Sequence, residues 1–177
     1  MSGHILLDGG GAPTHKKGVN KIEIIRAIQA QLEEKIAMHR EAAMAAHEEA
    51  THEESIAEDR YDTRGLEASY LAAGQARQMA EMAGALQEFS TMFVKKFGAA
   101  DPIDLTALVE LEMKKQRFHY FVGPGAGGLE VDFEGATILV ITPQSPMGRQ
   151  LIGRKAGEKL KLKVGPFTDE YLIRAVH

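Results

Sequence analysis

The sequence has no cysteine among its 177 residues. A disulfide framework, a thiol nucleophile and a cysteine-ligated metal are therefore excluded, a pattern that suits a reducing cytoplasm. No apolar run approaches the 18 or so residues needed to span a bilayer. The opening stretch, MSGHILLDGGGAPTHKKG, also has no basic segment ahead of an apolar core. The expectation is a cytoplasmic protein with no membrane association. A further absence is local: no proline or glycine occurs between Val19 and Arg64, so nothing in that span interrupts a helix.

With 44% apolar residues the chain can build a core, and its charge divides it into two units. Residues 1–100 hold 11 bases against 15 acids, and residues 101–177 hold 10 of each. The net charge of −4 argues against non-specific binding of nucleic acid by the surface as a whole. The acids concentrate between Glu41 and Glu67, where nine of them face only Arg60 and Arg64.

Residues 1–18 read as a flexible leader, with His4 and His15 as solvated side chains. Asn20 and Glu23 have the spacing of a helix N-cap and its reciprocal partner. Ile22, Ile25, Ile28, Leu32 and Ile36 follow at steps of three and four, then the stripe thins to Ala43, Ala46, Ala50 and Ala57. A second helical pattern over Leu66–Phe97 grows in the opposite order, from Ala72 and Ala76 to Met79, Met82, Leu86, Phe89, Phe93 and Phe97. Folded back to back, the two pair alanine with alanine near the turn and bulk with bulk at the other end. This predicts an antiparallel coiled-coil hairpin over residues 19–98, slender at its tip.

Beyond a linker at 99–104 the period changes to two. Strands are expected at 107–113, 118–122, 129–133, 136–142, 159–164 and 171–176, with one short helix over Pro146–Arg154 capped by Ser145. Residues 105–177 thus read as a small, mostly antiparallel sheet with a single helix, and the fold class is α+β.

Several constellations invite a chemical reading. Asp59 and Asp62 flank the hairpin turn and Glu67 opens the second helix. Such carboxylates can complete an Mg²⁺ site that belongs to a partner, or simply cap and solvate the helix ends. Arg60 and Arg64 can neutralise them or reach a partner's phosphates or acidic groups. His47 and His52 are five apart and fall on different helix faces, which disfavours a metal pair. His39 sits on the core stripe and reads as a packed residue. Gly123–Gly128 matches GxGxxG but is followed by a strand, so it reads as a flexible hairpin loop without a pyrophosphate-binding helix. Arg149, Arg154, Lys155, Lys159, Lys161 and Lys163 form a basic cluster suited to an acidic partner, or to edge protection and solubility. No catalytic triad-like arrangement is recognisable.

The run from Ile141 through Thr142-Pro143-Gln144-Ser145-Pro146-Met147-Gly148-Arg149 to Gly157-Glu158 closely resembles the C-terminal signature of the GreA/GreB family of bacterial transcript cleavage factors. The Tyr61–Gln78 segment looks like that family's hairpin turn and second helix. The resemblance implies a coiled-coil hairpin that enters the secondary channel of bacterial RNA polymerase and an FKBP-like C-terminal domain that docks at its rim. The chain would then be a monomer without an active site or cofactor of its own. Its tip acids would act on the polymerase's Mg²⁺ and contact RNA only indirectly, and Ser145, Pro146, Arg149, Arg154 and Lys155 would lie among the partner-binding residues. In the family an Asp and a Glu stand three apart at the tip. Here Asp62 matches the Asp, position 65 is glycine, and the nearest following acid is Glu67. A factor that occupies the channel and inhibits, without stimulating cleavage, is one alternative. Another is an FKBP-like peptidyl-prolyl isomerase or chaperone whose pocket is lined by Tyr120, Phe121, Phe133, Phe167 and Tyr171. The last is a hairpin that serves only to dimerise.

Overall fold

The computed structural model describes residues 20–51, 64–98, 100–164 and 166–177; at 46–51, 64–69, 164 and 167 it describes the backbone alone. Two long helices, α1 (Lys21–Thr51) and α2 (Arg64–Thr91), form an antiparallel hairpin. Six strands and a short helix follow: β1 (Leu108–Met113), β2 (Gln116–Val122), β3 (Glu130–Phe133), β4 (Ala136–Ile141), α3 (Pro146–Leu151), β5 (Lys159–Val164) and β6 (Phe167–Val176). They make one sheet in the order β3-β4-β2-β1-β6-β5, antiparallel throughout except for the parallel β2–β4 pair. The α+β architecture expected from the change of period is the one observed.

Each face of the sheet has its own cover. On one side Ile24, Ile25, Ile28 and Leu32 of α1, with Ala85 and Phe89 of α2, pack on Leu108, Phe121, Val131, Ile138 and Val140. On the other, Leu151 of α3 closes over Val109, Leu111, Val122, Leu162 and Ile173. Alternation along each strand produces this division, since successive side chains leave opposite faces. The hairpin is therefore rooted in the sheet by its base. Beyond Leu32 on α1 and before Met79 on α2, no described side chain is buried.

Three expectations are corrected. The apolar face of α1 is turned away from Ile22, which is 54% exposed, and runs through Ile24, Ile25, Ile28 and Leu32. With a choice among four isoleucines in seven positions, packing on the sheet decides which are used. The second helix ends at Thr91, six residues before Phe97. The chain then runs without regular structure through 92–98, leaving Phe93 87% exposed while Phe97 turns toward the α3-side core.

The glycine-rich segment 123–128 is not a hairpin loop, because β4 lies between β2 and β3. It carries the chain past β4 and wedges beneath α2. A Cβ built on Gly123 would lie 2.7 Å from Phe89 Cζ, and one on Gly125 would lie 3.0 Å from Ala85 Cβ. The glycines let backbone approach helix where any side chain would hold it off.

Candidate functional site

The acidic tip lies largely outside the described residues, which omit Asp59, Arg60 and Asp62, as well as His52. The backbone of Arg64 and Glu67 lies at the described start of α2, and their side chains are outside the described residues. His39 is partly exposed on α1 rather than packed in the core, because the base-side stripe ends at Leu32. Met38, Met44, Tyr70 and Leu71 stand exposed along the arm, so its described length presents apolar as well as charged groups to any partner. Among the described residues no group of three His, Asp or Glu side chains is placed to hold a metal ion.

The second candidate surface centres on α3. Ser145 donates its hydroxyl to the Thr142 carbonyl at 2.7 Å and accepts the Gly148 N–H at 3.0 Å, which makes it the N-cap, with Pro146 at the first helical position. A side chain on Gly148 would collide with the Thr142 carbonyl oxygen. After the helix, Gly153 donates to the Ile103 carbonyl at 2.9 Å and Ile103 donates to the Arg154 carbonyl at 2.7 Å, which ties the linker to the signature run. Glu158 then accepts the Lys155 N–H at 2.9 Å and the Arg154 guanidinium at 3.3 Å. Much of the run that resembles the family signature thus builds the turn–helix–turn itself. Arg149, Arg154 and Lys155 keep exposed side chains, and α3 sets Gln150 against Lys163 of β5.

The sheet face beyond the hairpin base is a ladder of ion pairs. Arg174 donates to Glu112 through Nε at 2.7 Å and Nη2 at 3.1 Å, and this contact holds the Glu112 carboxyl below the usual carboxylate range. On the same face Lys159 pairs with Glu170 at 3.7 Å, while Asp169, opposite Leu162 and so on the α3 side, pairs with Lys114 at 3.4 Å.

The aromatic pocket needed for proline isomerisation is not assembled. Tyr120 and Tyr171 are buried on the α3 side, whereas Phe121 and Phe133 face the hairpin. The side chain of Phe167 lies outside the described residues. Residues of opposite parity on a strand cannot converge on one ligand.

Lys21 was not legible as a site, because its partners are main-chain carbonyls that no pattern of residue types announces. Its side chain is buried, and Nζ donates to the carbonyls of Lys95, of Thr106 at 3.0 Å and of His177 at 3.0 Å, while lying 4.6 Å from the centre of the Phe97 ring. One ammonium group thereby joins the start of α1, the segment after α2, the approach to β1 and His177, just past β6. Burial, with the nearby Lys95 ammonium adding to it, pulls its pKa from 10.5 to about 8.

The chain is similar to several solved structures. The GreA factor homolog 1 (Gfh1) of Thermus thermophilus is 24% identical, with 85% of this chain and 95% of that one covered and a TM-score of 0.37. A second structure, of the transcription factor Gfh1, is 26% identical over 85% and 94% of the two chains, with a TM-score of 0.38. The prokaryotic transcription elongation factor GreA/GreB from Nitrosomonas europaea is 18% identical over 62% of this chain and 91% of that one, with a TM-score of 0.34. No family model and no curated protein matches the sequence.

Proposed function

We propose that the chain is a Gre-like transcription elongation factor that binds bacterial RNA polymerase, places the hairpin tip in its secondary channel and acts on the active-site Mg²⁺ held there. The observation that carries the reading is the distribution of burial along the hairpin. Its base is fixed in the sheet core by Ile24, Ile28, Leu32 and Phe89, while the described arm beyond Leu32 and Met79 buries no side chain. A helical pair built only to support its own domain would bury a stripe along its whole length. An arm anchored at its base and unburied along its described length suits insertion into something else, and the excess of acids between Glu41 and Glu67 suits a basic or metal-bearing interior. The resemblance of residues 141–158 to the Gre signature supports the same reading.

Asp62, with Asp59 or Glu67, would approach the metal, and Arg149, Arg154 and Lys155 would contact the polymerase surface. The factor then needs no active site of its own. A stalled elongation complex incubated with the full chain and Mg²⁺ should yield shortened RNA, and Asp62→Asn should abolish the shortening while binding persists. Gly65 stands where the family carries its Glu, so occupancy of the channel without shortening would assign the inhibitory form. Absence of both shortening and a footprint at the channel mouth would overturn the reading.

A further inference from the structure

β5 is the terminal strand of the sheet, and its outer side is occupied at one point only among the described residues. The Gln150 carboxamide reaches across from α3, accepting the Lys163 N–H at 3.0 Å and donating to the Lys163 carbonyl at 3.4 Å. Those two bonds fix the orientation of the strand: the main-chain groups of Lys163 point away from β6. Antiparallel pairing alternates, so Lys161 and Lys159, paired in register with Glu170 and Leu172, also turn N–H and C=O outward, while Leu160 and Leu162 bond inward. Gln150 therefore sits where the peptide group of a seventh strand would sit and makes the two bonds that it would make.

The side chains along this edge are equally ordered. Lys159, Lys161 and Lys163 are exposed on one face, and Leu160 and Leu162 are buried on the other. Of these three lysines only Lys159 has a carboxylate in ion-pair range among the described residues, that of Glu170. On the α3 side, Lys163 borders an open cleft of about 550 Å³ with Tyr120, Leu139, Pro146 and Met147 on its walls.

We infer that the β5 edge is a strand-addition site for an extended acidic segment of a partner protein, with Gln150 as the plug that the incoming strand displaces. Main-chain bonds to Lys159, Lys161 and Lys163 supply the binding. Alternation supplies the specificity: carboxylates at every second position meet the lysine row, and the intervening apolar side chains face the leucine side and its cleft. Charge complementarity selects the occupant, since a neutral or basic strand would leave Lys161 and Lys163 unpaired or repelled. The inference is independent of the polymerase reading, because it concerns the isolated chain and a simple peptide.

The test is fluorescence anisotropy of a labelled peptide of alternating glutamate and valine titrated with the full-length protein, with amide resonances of β5 followed by NMR. Saturable binding is expected, weakened about tenfold or more by Lys161→Glu combined with Lys163→Glu and tightened by Gln150→Ala, which unplugs the edge. The Lys159 and Lys161 amides should shift and gain protection from exchange. Lys161→Pro, which removes an outward N–H at a position where proline is tolerated, should weaken binding more than Lys161→Gln, which removes the charge alone. If the Pro variant does not fold, the Lys→Glu and Gln150→Ala results still decide. No saturation, binding that leaves the β5 amides unmoved, equal binding of a lysine–valine peptide, or binding of an RNA oligomer in place of the acidic peptide would each overturn the inference.

Discussion

Gly123 places its Cα so close to the ring of Phe89 that a Cβ there would stand 2.7 Å from Cζ, with Val140 Cγ1 at 3.1 Å behind it. Both neighbours are buried in the core that joins hairpin to sheet, so neither can swing away. Gly123→Ala should therefore cost about 1–3 kcal/mol, the range for overpacking a filled core, read as a shift of the urea midpoint. The same change at Gly125 meets Ala85 Cβ at 3.0 Å and a flexible Glu88 carboxylate at 3.1 Å, and should cost less. Equal stability of Gly123→Ala and wild type would mean that helix and sheet are not packed as closely as described.

Glycines within α2 answer oppositely. A Cβ at Gly74 or Gly84 meets nothing within 4 Å, and both positions lie in the interior of a helix. Replacing either with alanine should stabilise the protein by about 0.5–1 kcal/mol through helix propensity alone. Thermal unfolding followed by circular dichroism at the helix band would register this as a raised midpoint. A lowered midpoint would indicate that the arm packs against something at these positions.

The turn between β1 and β2 offers a third measurement. Met113 pairs with Gln116, leaving a two-residue loop in which Lys114 and Lys115 both adopt positive φ, 47° and 68°. Such a loop favours Asn-Gly, and a lysine is strained there. Changing Lys114→Asn together with Lys115→Gly should raise stability by about 1 kcal/mol. The Lys114–Asp169 pair lost with it is exposed and contributes little. Denaturant unfolding of the double variant against wild type checks the sign.

These positions show where a single sequence is informative. The hairpin was legible because two apolar stripes thicken toward the same end, and the strands because Leu160 and Leu162 alternate with lysines. Ser145-Pro146 announced α3 because a cap and a proline at the first turn have local causes. What was not legible depends on partners distant along the chain. Ile24 rather than Ile22 faces the sheet because of where β3 and β4 lie. The role of Gly123 depends on Phe89, which no local pattern places above it. The end of α2 at Thr91 also escaped, since the spacing of Phe89, Phe93 and Phe97 continues the helical period past the point where the chain turns to meet the sheet.

Lys21 makes the sharpest prediction about pH. In the folded chain burial lowers its pKa to about 8, against 10.5 when exposed. Between those values the unfolded chain holds a proton that the folded chain has released, so the contribution of Lys21 to stability rises as pH rises through that window. Below about 8 both states are protonated and its contribution is flat. The Lys21→Met variant removes the titration while filling a similar volume, and it deprives the Thr106 and His177 carbonyls of a donor. It should be less stable than wild type by about 1–3 kcal/mol near neutrality, the cost of leaving the buried Thr106 carbonyl unsatisfied, whereas the His177 carbonyl still accepts the Leu108 N–H. The gap should widen between pH 8 and pH 10. Urea unfolding of both proteins across that range measures it directly. A gap that stays constant would show that the three carbonyls and the Phe97 ring hold the ammonium charged against its burial, and the lowered pKa would then be wrong.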